Sequence, residues 1–158
     1  DELAKGGVTL IDALPWLGQA MPGKFFHIGP KLTRQQQDDI AFGCRLAKEV
    51  SRLEIGQSIV VKEGTVLAVE GFEGTDACLR RGGELAGPKG GAVAVKVARK
   101  NHDMRFDIPC IGRRSLESCA ASAIAVLAVE SSKTILLERE EVESLSQAHG
   151  ITVTTVTP

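Results

Sequence analysis

No charge of one sign dominates this chain: 19 Lys and Arg stand against 20 Asp and Glu, a formal net charge of -1. A balance this close to neutral removes any whole-molecule electrostatic drive towards DNA, RNA or an anionic membrane. Long hydrophobic runs are lacking too. The longest strongly apolar stretch, Ala120 to Val129, is about ten residues against the ~20 a membrane-spanning helix needs. Aromatics make up only 4%, yet 43% hydrophobic and 25% charged residues exclude a disordered or collagen-like chain. Its 158 residues suffice for one compact core, so a soluble globular domain is expected.

Cys44, Cys78, Cys110 and Cys119 include no C-x-x-C pair, which argues against a zinc ribbon or a thioredoxin-like site. Most have small or aliphatic neighbours, as buried structural thiols do, and a reducing cytoplasm is expected. His27, His102 and His149 form no zinc spacing; only His102, beside an acidic patch, is an acid–base candidate. G-x-G-x-x-G, the Walker pattern and the G-x-S-x-G elbow are all missing. There is no signal-peptide pattern, and the first residue is Asp rather than Met, so a fragment of something longer is expected.

What is there alternates between helix and strand. Val8-Thr9-Leu10-Ile11 reads as a short buried strand, and the breakers of Met21-Pro22-Gly23 and His27-Ile28-Gly29-Pro30 read as a linker. Residues 1–30 are therefore expected to be the end of a preceding domain plus linker, with a compact domain over 31–158. Thr33 and Gln36 have capping-box spacing ahead of a wide apolar stripe through Ile40, Cys44 and Ala47, predicting a helix of about five turns. Ser58–Val61 and Thr65–Val69 are β-rich runs around Lys62-Glu63-Gly64, predicting an antiparallel hairpin. A helix over 75–86 follows, then a strand over 92–98, a helix over 115–123 and strands over 124–129 and 134–137. A helix from Glu138 to His149 with Gly150 as left-handed cap, and a strand over 152–156, complete the pattern. The expected class is α/β, a mixed sheet with packed helices.

Three polar patches could carry chemistry. Glu70-Gly71-Phe72-Glu73-Gly74-Thr75-Asp76 puts three carboxylates in a strand-to-helix turn, where oxygens suit Mg²⁺ or where Thr75 or Asp76 caps the helix. Arg80-Arg81-Gly82-Gly83 and Gly87-Pro88-Lys89-Gly90-Gly91 could wrap a phosphate with open amides and guanidinium groups, or could be a surface connection. Beyond Lys96, the alternating Asp103, Arg105 and Asp107 share a face of an extended segment, either a metal and phosphate site or an ion-pair ladder. The two acidic patches flank one glycine-rich loop, so Glu73, Asp76, Asp103 and Asp107 are expected to converge on one cleft.

Taken in order, Val60 to Glu70, Glu73-Gly74-Thr75-Asp76, Arg81-Gly82-Gly83, Gly91 to Ala98, Asp103-Met104-Arg105-Phe106-Asp107-Ile108-Pro109 and Ile111-Gly112 resemble one family. It is the C-terminal domain of the LpxI-type UDP-2,3-diacylglucosamine pyrophosphatases, over roughly residues 31–157. The resemblance implies Mg²⁺-dependent hydrolysis of UDP-2,3-diacylglucosamine to UMP and 2,3-diacylglucosamine 1-phosphate in lipid A synthesis. It also implies substrate held between this domain and an N-terminal one. Its acidic positions carry over to Asp76, Asp103 and Asp107 as catalytic, with Glu73, Asp76 and Asp107 on the metal. The implied substrate contacts are Thr75, Arg80, Arg81, Gly82, Gly83, Lys96 and Arg105. A homodimer and a peripheral membrane contact through the lipid substrate stay open, as does a non-hydrolytic nucleotide-sugar-binding or regulatory module.

Overall fold

A computed structural model describes residues 2–9, 11–12, 14–99 and 108–158. In chain order its elements are α1 (Glu2–Lys5), α2 (Leu14–Leu17), β1 (His27–Ile28), α3 (Arg34–Arg52), β2 (Ser58–Lys62), β3 (Thr65–Val69) and α4 (Thr75–Leu85). They continue with β4 (Ala92–Lys96), β5 (Cys110–Ile111), α5 (Arg113–Ala121), β6 (Ile124–Glu130), β7 (Ile135–Leu136), α6 (Arg139–His149) and β8 (Thr152–Val156). Six strands form one mixed sheet in the order β1-β8-β6-β4-β2-β3, and β5 pairs with β7 in a separate parallel ribbon. Within the large sheet β3, β4, β6 and β8 run the same way, while β1 and β2 oppose their neighbours. The class is α/β, as expected.

Local chemistry accounts for the elements. The capping box of α3 is complete: Gln36 N–H donates to Thr33 Oγ1 at 3.2 Å, and Thr33 N–H donates to Gln36 Oε1 at 2.9 Å. The β2–β3 turn is tighter than the three-residue connection expected, because Lys62 pairs directly with Thr65. Glu63 and Gly64 both take positive φ, the two-residue turn that matches strand twist. Buried Asp39 of α3 fixes that turn, accepting from the amides of Glu63 at 2.9 Å and Gly64 at 2.8 Å. Gly150 ends α6 in the left-handed conformation.

Two apolar layers sandwich the sheet. On one face α3 lays Ile40, Cys44 and Ala47 against Ile59, Val61, Val93, Val95 and Val126. On the other, Cys78, Leu79, Leu116, Cys119 and Val142 pack over Val60, Ala94, Leu127 and Val129. Strand residues alternate between these layers, so β2, β4 and β6 are apolar on both sides, as buried central strands must be.

Two expectations near the start are corrected. Val8 and Ile11 are 53% and 64% exposed, and no strand forms among the described residues there. His27-Ile28 is no linker: it adds the edge strand β1 to β8, and the Thr154 and Thr155 hydroxyls donate to the carbonyls of Phe26 and Gly23. A strand of two residues is invisible to periodicity. Its pairing partners, Thr154 and Val153, lie at the far end of the chain.

Candidate functional site

The shared direction of β3, β4 and β6 sends their carboxyl ends to one edge of the sheet, the edge where open α/β sheets bind ligands. Lys96 ends β4 there. The β3–α4 turn brings Thr75 and Asp76 to the same edge, and β5 leads into the first turn of α5 with Arg114 and Ser115. Together with Ile111 these side chains line a cavity of about 290 Å³ floored by Leu79 and Leu127. A second hollow of about 230 Å³ adjoins it, sharing Asp76 and Arg114 and adding Arg80 and Ser118.

Neither Thr75 nor Asp76 caps α4. The N-cap is Gly74 at φ 84°, which makes no side-chain cap bond. Both side chains are thereby free for other work. Asp76 Oδ1 accepts from Ser118 Oγ of α5 at 2.9 Å, tying the start of α4 to the middle of α5. Thr75 Oγ1 donates to Glu70 Oε1 at 2.9 Å. Lys96 and Arg114 make no ion pair with a described residue, so two cationic heads face the carboxylate's cavity uncommitted among the described residues. Two helix N-termini add their partial positive charge. The sum favours an anion.

Glu73 stands apart from this cavity. It accepts from Arg81 at 2.5 Å and from the Gly71 amide at 3.0 Å, and Arg81 also donates to the Val69 carbonyl. Its own backbone amide first, then the Arg81 guanidinium, hold the Glu73 carboxyl below the ordinary glutamate value. Glu73 and Arg81 thus brace the turn rather than line the pocket.

At the same sheet edge, Glu130 of β6 fixes the strand's exit from β4. It accepts from Ala98 N–H at 2.9 Å and pairs with Lys48 and Lys133, each at 2.9 Å. Burial pushes its carboxyl up, but the hydrogen bonds from Lys133, Lys48 and Ala98, with the Lys48 charge, outweigh burial and leave the value lowered.

The model for the LpxI C-terminal domain family matches residues 26–154. The chain belongs to that family. It is also 32% identical over 166 aligned positions to UDP-2,3-diacylglucosamine pyrophosphatase LpxI of Caulobacter vibrioides, an alignment taking in 100% of this chain and 59% of that protein. The chain therefore spans 59% of the length of this relative.

For this LpxI-type domain, the glycine reading needs correction. Gly82 and Gly83 are not in an open loop but inside α4, buried. A Cβ on Gly82 would come within 2.6 Å of Val60 Cβ, and one on Gly83 would collide with the Ser122 carbonyl. They let α4 press onto β2 and the end of α5, which is packing rather than phosphate binding. Gly87 to Gly91 precede β4 directly, at the opposite sheet edge from Lys96, about 16 Å along the strand. The expected glycine cradle therefore does not share the Asp76 cavity.

Of the expected site residues, the structure gathers Thr75, Asp76, Lys96 and Arg80 around the paired hollows. It sets Glu73, Arg81, Gly82 and Gly83 elsewhere. His102, Asp103, Arg105 and Asp107 lie outside the described residues. Arg114, Ser115 and Ser118 were not singled out as site residues from the sequence, although adjacent Arg113-Arg114 before a small-residue helix was a visible signal. Mg²⁺ takes oxygen ligands in near-octahedral array. One carboxylate between two cations is not such a set, and no group of three His, Cys, Asp or Glu converges among the described residues. The described wall alone does not fit a resident magnesium ion.

A roomier cavity of about 670 Å³ lies by α3 and β8, lined by Ala41, Cys44, Arg45, Lys48, Glu49 and Val156. It brings no chemistry to match the Asp76 cavity: Lys48 is already bonded to Glu130 and Ala98, and Cys44 is pushed up by burial.

Proposed function

We propose that this chain is the anion-binding, catalytic-type part of an enzyme that hydrolyses the pyrophosphate bond of UDP-2,3-diacylglucosamine. The products are UMP and 2,3-diacylglucosamine 1-phosphate, in lipid A synthesis, and the reaction runs in the cytoplasm. The observation that carries this reading is the placement of Asp76 with Lys96 and Arg114 at the carboxyl edge of the sheet, in a chain of the LpxI family.

Anhydride hydrolysis needs charge neutralised on phosphoryl oxygens and a water held in line. Lys96 and Arg114 supply the first, Arg114 with a bidentate fork. Asp76 supplies the second. Ser118 occupies Oδ1, and Oδ2, which accepts from no described residue, orients the water. Whole-enzyme activity requires an N-terminal domain of the same protein, with the residues ahead of β1 as its end plus connection and β1 to β8 as the catalytic-type domain. We further propose that whole-enzyme activity requires magnesium.

The test is UMP release from UDP-2,3-diacylglucosamine by the full-length protein, with Mg²⁺ and with EDTA. Release that stops on chelation supports the reading. The single carboxylate among two cations favours a second reading, a nucleotide-sugar-binding module; tight substrate binding with no UMP formed would establish that one instead.

A further inference from the structure

Glu70 is the residue that the acidic turn hides. It is 5% exposed, at the end of β3, and no described cation comes within ion-pair distance. Both of its carboxylate oxygens accept: Oε2 from the Gln57 amide at 3.2 Å, and Oε1 from the Thr75 hydroxyl at 2.9 Å. Because the Thr75 proton is committed to Glu70, buried Ser58 Oγ is the donor in its 3.5 Å approach to Thr75 Oγ1. The backbone is clamped as well, with Glu70 N–H donating to Ser58 O at 2.9 Å. A Cβ on Gly56 would collide with the Glu70 carbonyl.

A buried carboxylate without a cationic partner is costly, and a simple helix cap does not require one. Gly74 already starts α4 without side-chain help. What the carboxylate fixes is the position of Thr75 against the entry of β2, and with it the next residue, Asp76. From the other side Ser118 holds the same aspartate. The geometry points to Glu70 as a positioning residue that sets the Asp76 carboxylate in the cavity through Thr75. This rests on the reading of Asp76 as the water-orienting group.

Glutamine at this position has one acceptor where glutamate has two. The Gln57 amide cannot reverse, so the glutamine oxygen must serve it. The NH₂ then faces Thr75, whose hydroxyl must turn and accept. The bond survives in name with its direction inverted, and the Thr75 proton is released towards other acceptors.

The experiment compares Glu70→Gln, Thr75→Val and Thr75→Ser in the full-length enzyme. A displaced catalytic group costs turnover rather than binding, so Glu70→Gln and Thr75→Val should lose about tenfold or more in kcat with KM within about threefold. Thr75→Ser, which restores the hydroxyl, should recover most of it. A parallel arm reads the backbone ¹H–¹⁵N shifts of Asp76 and Ser118, which Glu70→Gln should move. If kcat stays at the wild-type level in folded Glu70→Gln while only the melting temperature falls, Glu70 is structural and the inference is overturned. Unmoved amide shifts at Asp76 and Ser118 overturn it as well. If the wild-type enzyme releases no UMP, the proposed function fails, yet the amide shifts of Asp76 and Ser118 still decide the coupling.

Discussion

Replacing Gly83 by alanine separates a packing glycine from a phosphate-binding one. On an exposed helix the change would stabilise by about 1 kcal/mol through helix propensity. Here the new Cβ would collide with the Ser122 carbonyl oxygen and sit 2.7 Å from its carbonyl carbon and 3.0 Å from its Cα. These are backbone atoms and cannot rotate away, so α4 must retreat from the end of α5. Overpacking of this kind costs about 1–3 kcal/mol, more when backbone must move. Because backbone must move, the upper end of that range applies, and a net loss of about 2 kcal/mol is expected once the propensity gain is subtracted, or roughly 4–8 °C in Tm for a chain of this size. Urea unfolding followed by far-UV circular dichroism reads the loss as a lower midpoint at constant slope. A variant as stable as the parent that has lost nucleotide binding would refute the packing assignment and restore the phosphate-loop reading.

Ser118→Ala removes one hydrogen bond from Asp76 and should lower kcat about threefold to tenfold, measured as initial rates of UMP release. Glu130 has a lowered folded value against the ordinary 4.5, so its contribution is full above 4.5 and lost as pH falls through the folded value. Wild-type stability should therefore drop more steeply than that of Glu130→Gln in urea unfolding between about pH 5 and 3; parallel curves would contradict the pairing with Lys48 and Lys133. All four cysteines are free, and burial pushes the Cys78 and Cys119 thiols up to about 12. Native protein at pH 8 should accordingly alkylate first at exposed Cys110, with the other three reacting only on unfolding; peptide mass mapping checks the order.

Most of the fold is legible in the chain because its signals are local. Thr33 with Gln36, Gly150, and the paired runs around Glu63-Gly64 each carry their own geometry within a few residues. The edge strand His27-Ile28 is not legible, since only β8 makes it a strand. The site divides along the same line. Asp76 and Lys96 stand out by type and by their places at the ends of regular elements. Ser118 matters only because α5 packs beside α4, a juxtaposition that no spacing encodes. Gly82 and Gly83 misled for the converse reason. Glycine is needed both where backbone meets a phosphate and where helix meets strand, and only the neighbours Val60 and Ser122 separate the two.

The most direct measurement is UMP release from UDP-2,3-diacylglucosamine by the full-length protein and its Asp76→Asn variant, at saturating Mg²⁺. Asparagine keeps the size of Asp76 and can still accept from Ser118, but lacks the charge. Wild-type turnover should fall by about 10²-fold or more in the variant, roughly 2.7 kcal/mol of barrier, with the unfolding midpoint nearly unchanged. Equal turnover in the two proteins would remove Asp76 from the chemistry.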